Sequence, residues 1–123
     1  MATHKQAVPP PTVFFGEEAF QPIDHTEVRW LGSGGMFVNT RGTCIMMDPM
    51  LKDFDMPLLI DMPIMPEKVP HLDAVLITHC DNDHYSVPTL HGVEHVSKAF
   101  HAPHYVAELM QAEGFPANGH DIG

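Results

Sequence analysis

The stretch LITHCDNDHYS, residues 76–86, sets two histidines and two aspartates within six positions, directly behind an aliphatic run. Residues 79, 81 and 83 alternate, so an extended loop projects them to one side. His84 follows directly and needs a turn to join them. Imidazole and carboxylate are ligands of zinc, iron and manganese. Without a cation, Asp81 and Asp83 repel each other, and a bound dication removes that cost. The plain alternative is a solvated acidic loop in which Asp81 and Asn82 cap the turn. Four ligands so close together crowd one tetrahedral ion. They suit two ions roughly 3.5–4 Å apart that share a water or hydroxide, one held by His79 and Asp81 and the other by Asp83 and His84. Asp83 would also orient the bridging hydroxide or accept its proton.

Upstream, Ala74–Thr78 (AVLIT) is a continuous apolar run that suits a strand covered on both faces. Downstream, Ser86 is a helix N-cap and Pro88 sits in the first turn, where no N–H is needed. Further back, residues 27–31 (EVRWL), 36–40 (MFVNT) and 43–48 (TCIMMD) are short β-prone runs. Gly32-Ser33-Gly34-Gly35 and Arg41-Gly42 separate them as hairpin turns, which gives an antiparallel meander. Thr12–Phe15 reads as a short first strand after the stiff Pro9-Pro10-Pro11. Glu94–Phe100 reads as another strand, and Pro103–Glu113 as an amphipathic helix with Val106, Leu109 and Met110 on one face and Gly114 as its stop. The last residues, PANGHDIG, read as turn-rich, leading towards a strand that the chain does not contain. Strands followed by strand–helix–strand–helix make an α/β arrangement.

Pro49–Pro70 stands apart, with five prolines and Met50, Met56, Met62 and Met65 beside the flanking Met47. It repeats Asp-Met-Pro at 55–57 and 61–63. A loop of about 20 residues is uncommon in a compact domain and is often functional. It is read either as a connection whose methionines fill irregular gaps or as a flexible lip over a binding site.

At 123 residues the chain predicts one domain, and 44% hydrophobic with 18% charged residues is a globular composition. Six basic against sixteen acidic residues give a formal charge of -10. That argues against non-specific nucleic-acid or anionic-membrane binding, which needs Lys and Arg to displace counterions. No apolar run approaches the ~20 residues of a membrane span, and the N-terminus shows no hydrophobic leader segment. Cys44 and Cys80 are expected as free thiols, and the protein as cytoplasmic.

The segment H-x-D-x-D-H after DAVLIT resembles the H-x-H-x-D-H signature of the metallo-β-lactamase superfamily. VRWLGSGGMFVNTRGTCIMMDP (28–49) resembles the start of the same fold, nearest to its ascorbate-phosphate lactonase-like branch. The resemblance implies an α/β fold of αββα type, with residues 26–123 as its N-terminal half (a mixed sheet with helices on one face) and residues 1–25 as an arm and first strand. It implies two divalent metals, zinc foremost and manganese or iron as alternatives. His79 would ligate the first, Asp83 and His84 the second, and Asp48, at the end of TCIMMD, would brace the ligand loop.

Two departures follow from the comparison with that signature. Asp81 stands where the family usually has histidine, and its carboxylate, a harder donor than imidazole, shifts preference towards manganese or iron. The family's later histidine, bridging aspartate and last histidine have no match here. A second polypeptide or C-terminal half is therefore expected to supply them, in an oligomeric assembly. The implied activity is hydrolysis of an ester, lactone or related small-molecule bond by a metal-bound hydroxide. A non-catalytic half-domain serving assembly and a phosphodiesterase on the same fold remain the alternatives.

Three further patterns carry less. His91-Gly92-Val93-Glu94-His95 matches the inverted zinc-protease spacing, but Gly92 and the nearby Pro88 spoil the regular helix that chemistry needs. Gly32–Gly35 lacks the last glycine of a dinucleotide fingerprint and leads into a strand, although the family likeness would put Ser33 near the metals. Asp81-Asn82-Asp83 lacks the glycine and distal glutamate of a calcium loop. Cys80 is out of phase with 79, 81 and 83 and is expected to point to the core.

Overall fold

A computed structural model describes residues 8–52 and 58–123. The Asp55-Met56-Pro57 copy of the repeat and the first seven residues lie outside that range. The β-prone runs form strands β1 (Thr26–Gly32), β2 (Gly35–Thr40) and β3 (Thr43–Met47), joined by the two glycine turns. β1–β2 and β2–β3 pair antiparallel, with a bulge between Trp30 and Gly32. β4 (Ala74–Leu76) then pairs parallel to β3, and β5 (Phe100–Pro103) and β6 (Ala117–His120) add in parallel beyond it. One six-stranded mixed sheet results, in chain order.

Two helices make the parallel crossovers. α1 (Val87–Val93) is capped by Ser86, whose Oγ accepts from Thr89 N at 3.2 Å, and α2 (His104–Ala112) stops at Gly114 with φ +97°. Both crossovers step the same way across the sheet, so right-handed connection puts both helices on one face. There Leu90, Val93, Val106 and Met110 pack with Phe37, Met46, Val75 and Phe100 in a single core.

The opposite face is less covered. Cross-strand register lines up Trp30, Met36, Met47, Leu76, His101 and Asn118 in one row, and Val28, Val38, Ile45 and Ala74 in the next. These side chains are half-buried or exposed, with Val28 and Trp30 more than half open. The expectation that the β4 run is covered on both faces is therefore corrected: the helices cover Val75, while Ala74 and Leu76 stay partly open.

Three other expectations change. Thr12–Phe15 forms no strand. Phe15 stacks on Phe37 at 5.7 Å between ring centroids and Thr12 Oγ1 donates to Asp61 O, so the arm is held by side chains and by one Phe15 N–Pro63 O bond rather than by a ladder. Glu94–Val96 is a 3-10 turn and the strand begins only at Phe100, because Ser97 Oγ caps back to Val93 O and keeps the chain coiled. The turn-rich end does contain a strand, β6, whose Ala117 pairs with Phe100 and whose Gly119 makes room for His104. In the described part of 49–70, Met50, Leu51, Ile64 and Val69 are buried and Pro66–Lys68 is a 3-10 turn, as gap-filling requires. Among the described residues no helix is long and apolar enough to cross a membrane.

Candidate metal centre

The ligand-rich loop leaves the carboxyl edge of the sheet, where β4 ends beside β3. Asp48, the residue after β3, is buried and adopts φ +46°, a left-handed conformation that Asp tolerates better than most residues but that still costs about 1 kcal/mol. The bend turns its carboxylate across the end of β4. Asp48 Oδ1 accepts from Thr78 N at 2.7 Å, and Oδ2 accepts from Thr78 Oγ1 at 2.6 Å and from His84 Nδ1 at 2.9 Å.

A proton count fixes the two histidines. A carboxylate only accepts, so the single Thr78 hydroxyl proton goes to Asp48. The Thr78 oxygen then accepts from His79 Nδ1, 2.8 Å away. His84 Nδ1 likewise donates to Asp48. Both rings therefore carry a proton on Nδ1, as assigned from the hydrogen-bond network, which leaves Nε2 as the nitrogen with which either could ligate a metal. One buried carboxylate orients both imidazoles, one directly and one through a hydroxyl. The rings lie 4.1 Å apart between centroids at 41°.

A turn brings His84 into place, with His84 N and Tyr85 N both donating to Asp81 O at 2.9 Å. The β1–β2 hairpin supports it from the other side. Trp30 Nε1 holds Ser33 O at 2.8 Å, and Ser33 Oγ donates to Asp83 O at 3.2 Å. Gly34 lies against the His84 ring so closely that a Cβ would overlap Cε1 and sit 2.7 Å from Nδ1. Glycine is required there by contact, not by its backbone angles.

His79 Nε2 lies 3.4 Å from Asp81 Oδ2, and His84 Nε2 lies 3.5 Å from Asp83 Oδ2. Two sets of donor atoms, each within 4.8 Å of one another, share His79: one with Asp48 and His84, the other with Asp81 and Asp83. The sets differ in exposure. Asp81 and Asp83 side chains are 76% and 67% exposed, against 22% for His84 and 5% for Asp48. Both oxygens of Asp48 are already engaged by the protein, which suits it to orienting ligands. Among the described residues, no Lys or Arg pairs with Asp48, Asp81 or Asp83. Three carboxylates and two imidazoles without a Lys or Arg partner fit one or two divalent cations. Cys80 is partly buried and packs against the core.

Sequence reasoning passed over Thr78, Gly34 and Trp30. A threonine directly before the first histidine is the available signal for Thr78; the contact of Gly34 is made by the hairpin's fold and has none.

The profile of the beta-lactamase superfamily domain matches residues 27–122, more than three-quarters of the chain. The chain belongs to the metallo-β-lactamase superfamily. No curated protein sequence matches it. Among solved structures, it is similar to CmlA, a diiron beta-hydroxylase from Streptomyces venezuelae, at 20% identity and a TM-score of 0.64 over 80% of this chain and 21% of that one. It is also similar to Igni18, a metallo hydrolase from the archaeon Ignicoccus hospitalis, at 22% identity and a TM-score of 0.58 over 80% of this chain and 40% of that one. At such identities the likeness is one of fold. The chain spans about a fifth of the first of these structures and two-fifths of the second.

Proposed function

We propose that this chain carries the first set of ligands of a metal-dependent hydrolase acting on an ester, lactone or related bond of a small molecule. The observation that carries the reading is the pair of imidazoles, His79 and His84, each fixed through Nδ1 and each turning a free Nε2 towards an exposed aspartate. In this reading His79, Asp81, Asp83 and His84 hold two divalent ions, and Asp48 keeps both rings in the ligating tautomer. Bound divalent ions supply an activated water at neutral pH and polarise the bond under attack. Asp83, largely solvent-facing beside His84 Nε2, takes up the proton that the attacking water gives up. Zinc is the first choice for the imidazole-rich set, and the Asp81 carboxylate opens the site to manganese or iron.

The rest of the site comes from a second polypeptide or a C-terminal half. Supporting this is the open sheet face, whose rows of Trp30, Met36, Met47 and Leu76 and of Val28, Val38 and Ile45 are apolar where a lone domain would be polar. The upstream strand pattern favours the lactonase-like branch of the superfamily, and the free thiols favour the cytoplasm. The formal charge of -10 disfavours nucleic acid as substrate.

The test is metal analysis of the protein together with any chain that co-purifies, followed by hydrolysis assays on lactones, esters and a generic phosphodiester with added zinc or manganese. Lactone or ester turnover that Asp83→Ala abolishes, with circular dichroism unchanged, is the expected result. Turnover of the phosphodiester alone would move the reading to a phosphodiesterase. A metal-free, inactive assembly would leave a non-catalytic role in assembly.

A further inference from the structure

Away from the loop, the sheet brings a second pair of imidazoles together. His101 on β5 pairs in register with Asn118 on β6, so His120, two residues on, lies diagonally across on the same face. That face is the one the helices leave open. His101 Nδ1 and His120 Nε2 lie 2.8 Å apart, with ring centroids 5.0 Å apart at 44°. Neither residue lies in the 78–84 loop or bonds to its side chains. His101 touches that region through its carbonyl, which accepts from Ile77 N at 2.9 Å.

We propose that His101 and His120 form a second metal site, a two-nitrogen chelate for a divalent ion of copper or nickel type. Metal–imidazole bonds are about 2.0–2.1 Å long, so two nitrogens 2.8 Å apart subtend about 85–90° at a shared ion. That is the angle between neighbouring positions of a square-planar or octahedral ion. A tetrahedral ion needs its nitrogens about 3.3–3.4 Å apart at the same bond length. Nitrogen ligands in square-planar array select Cu(II) or Ni(II). The ladder supports the bite, because parallel neighbours hold both Cα atoms and only ring rotation remains to be fixed. In the metal-free chain one ring donates its N–H to the other. Binding requires that donor ring to carry its proton on its other nitrogen, with no net proton released. Both rings stand on the uncovered face, so water can fill the remaining positions.

The test counts ions on the full-length protein and on His120→Gln and His101→Gln variants. Each is titrated with Cu(II) and with Ni(II) at neutral pH, with circular dichroism as the check of fold and paramagnetic resonance of the bound copper as the second readout. The His79→Ala/His84→Ala double variant removes the loop's contribution. That double variant is expected to keep about one equivalent of Cu(II) with two-nitrogen coupling, and His120→Gln to lose about one equivalent relative to wild type. His120 is exposed, so its variant is the one expected to fold unchanged. Equal stoichiometry in wild type, His101→Gln and His120→Gln, or a copper signal without nitrogen coupling in the loop double variant, overturns the site.

Discussion

Strands β3 and β4 are clamped by an aspartate at each end, and the two clamps are finished differently. At the entry end, Asp73 N donates to Cys44 O and Asp73 Oδ2 accepts from Cys44 N, both at 2.8 Å. At the exit end, Asp48 N donates to Leu76 O at 2.9 Å and its Oδ1 accepts from Thr78 N. Up to this point the two are the same device, a carboxylate replacing a missing ladder partner. The second oxygens differ. Asp73 Oδ1 meets the exposed ammonium of Lys98 at 3.1 Å, which neutralises it locally. Asp48 Oδ2 meets a hydroxyl and an imidazole and, among the described residues, no Lys or Arg. The entry clamp ends in solvent, whereas the exit clamp passes its charge on to two ring nitrogens that face the aspartates of the loop.

The contrast predicts opposite phenotypes. Asp48→Ala is expected to weaken metal binding about 10–100-fold, measured by competition with a chromophoric chelator. Asp73→Ala is expected to leave that affinity unchanged and to cost about 1–3 kcal/mol in urea unfolding, from the Cys44 N–H left without its partner. If Asp73→Ala weakened the metal as much as Asp48→Ala, clamping the strands would be all that either residue does.

Gly34→Ala sharpens the same point from the hairpin side. Its new methyl displaces the His84 ring while leaving Asp48 intact. A loss of metal affinity of about tenfold is expected, with the unfolding midpoint little changed. Retained affinity would mean that the ring can shift without loss of its lone-pair direction.

Much of this was legible before the fold was seen. β1 to β3 follow their alternation and glycine turns, and α1 starts where Ser86 and Pro88 say it should. The candidate donors at 79, 81, 83 and 84 stand out by residue type, and the fold gathers them at one sheet edge. The connectors were misread because their signals are local and their outcome is not. Phe15 is aromatic like many strand residues, yet it is drawn onto Phe37 instead of an edge. Asn118 and Gly119 are poor strand formers, but the open edge of β5 recruits them into β6. Thr78 reads as the last residue of an apolar run, and its hydroxyl matters only because Asp48 arrives from thirty residues away. The Gly34 contact is likewise a meeting of segments fifty residues apart, of which neither carries the other's trace.

Thr78→Val probes the relay with a smaller effect. It keeps the branched shape and removes the one group that links Asp48 to His79. His79 Nδ1 then loses its acceptor, for about 1 kcal/mol or roughly fivefold in metal affinity. The sharper readout is nitrogen NMR of the histidines, where His79 loses its preference for Nδ1–H and His84 keeps it. Equal changes in both rings would show that the two imidazoles are not oriented separately.

The smallest effect is the acid sensitivity of the entry clamp. The Cys44 backbone N–H, and after it the Lys98 ammonium, hold the Asp73 carboxyl below the usual carboxylate range in the fold. A group whose folded pKa is depressed adds stability above its unfolded pKa and loses it as pH falls through the folded one. Urea unfolding of the metal-free protein from about pH 7 down to about pH 3 should therefore show wild type more stable than Asp73→Asn at neutral pH, with the gap closing in acid. Lys98 is itself well exposed and its attraction is screened by salt, so the part of the gap that survives high salt measures the backbone bond. A gap that held constant down to the lowest pH would mean that Asp73 acts by shape alone, and that the two clamps differ less than their second partners suggest.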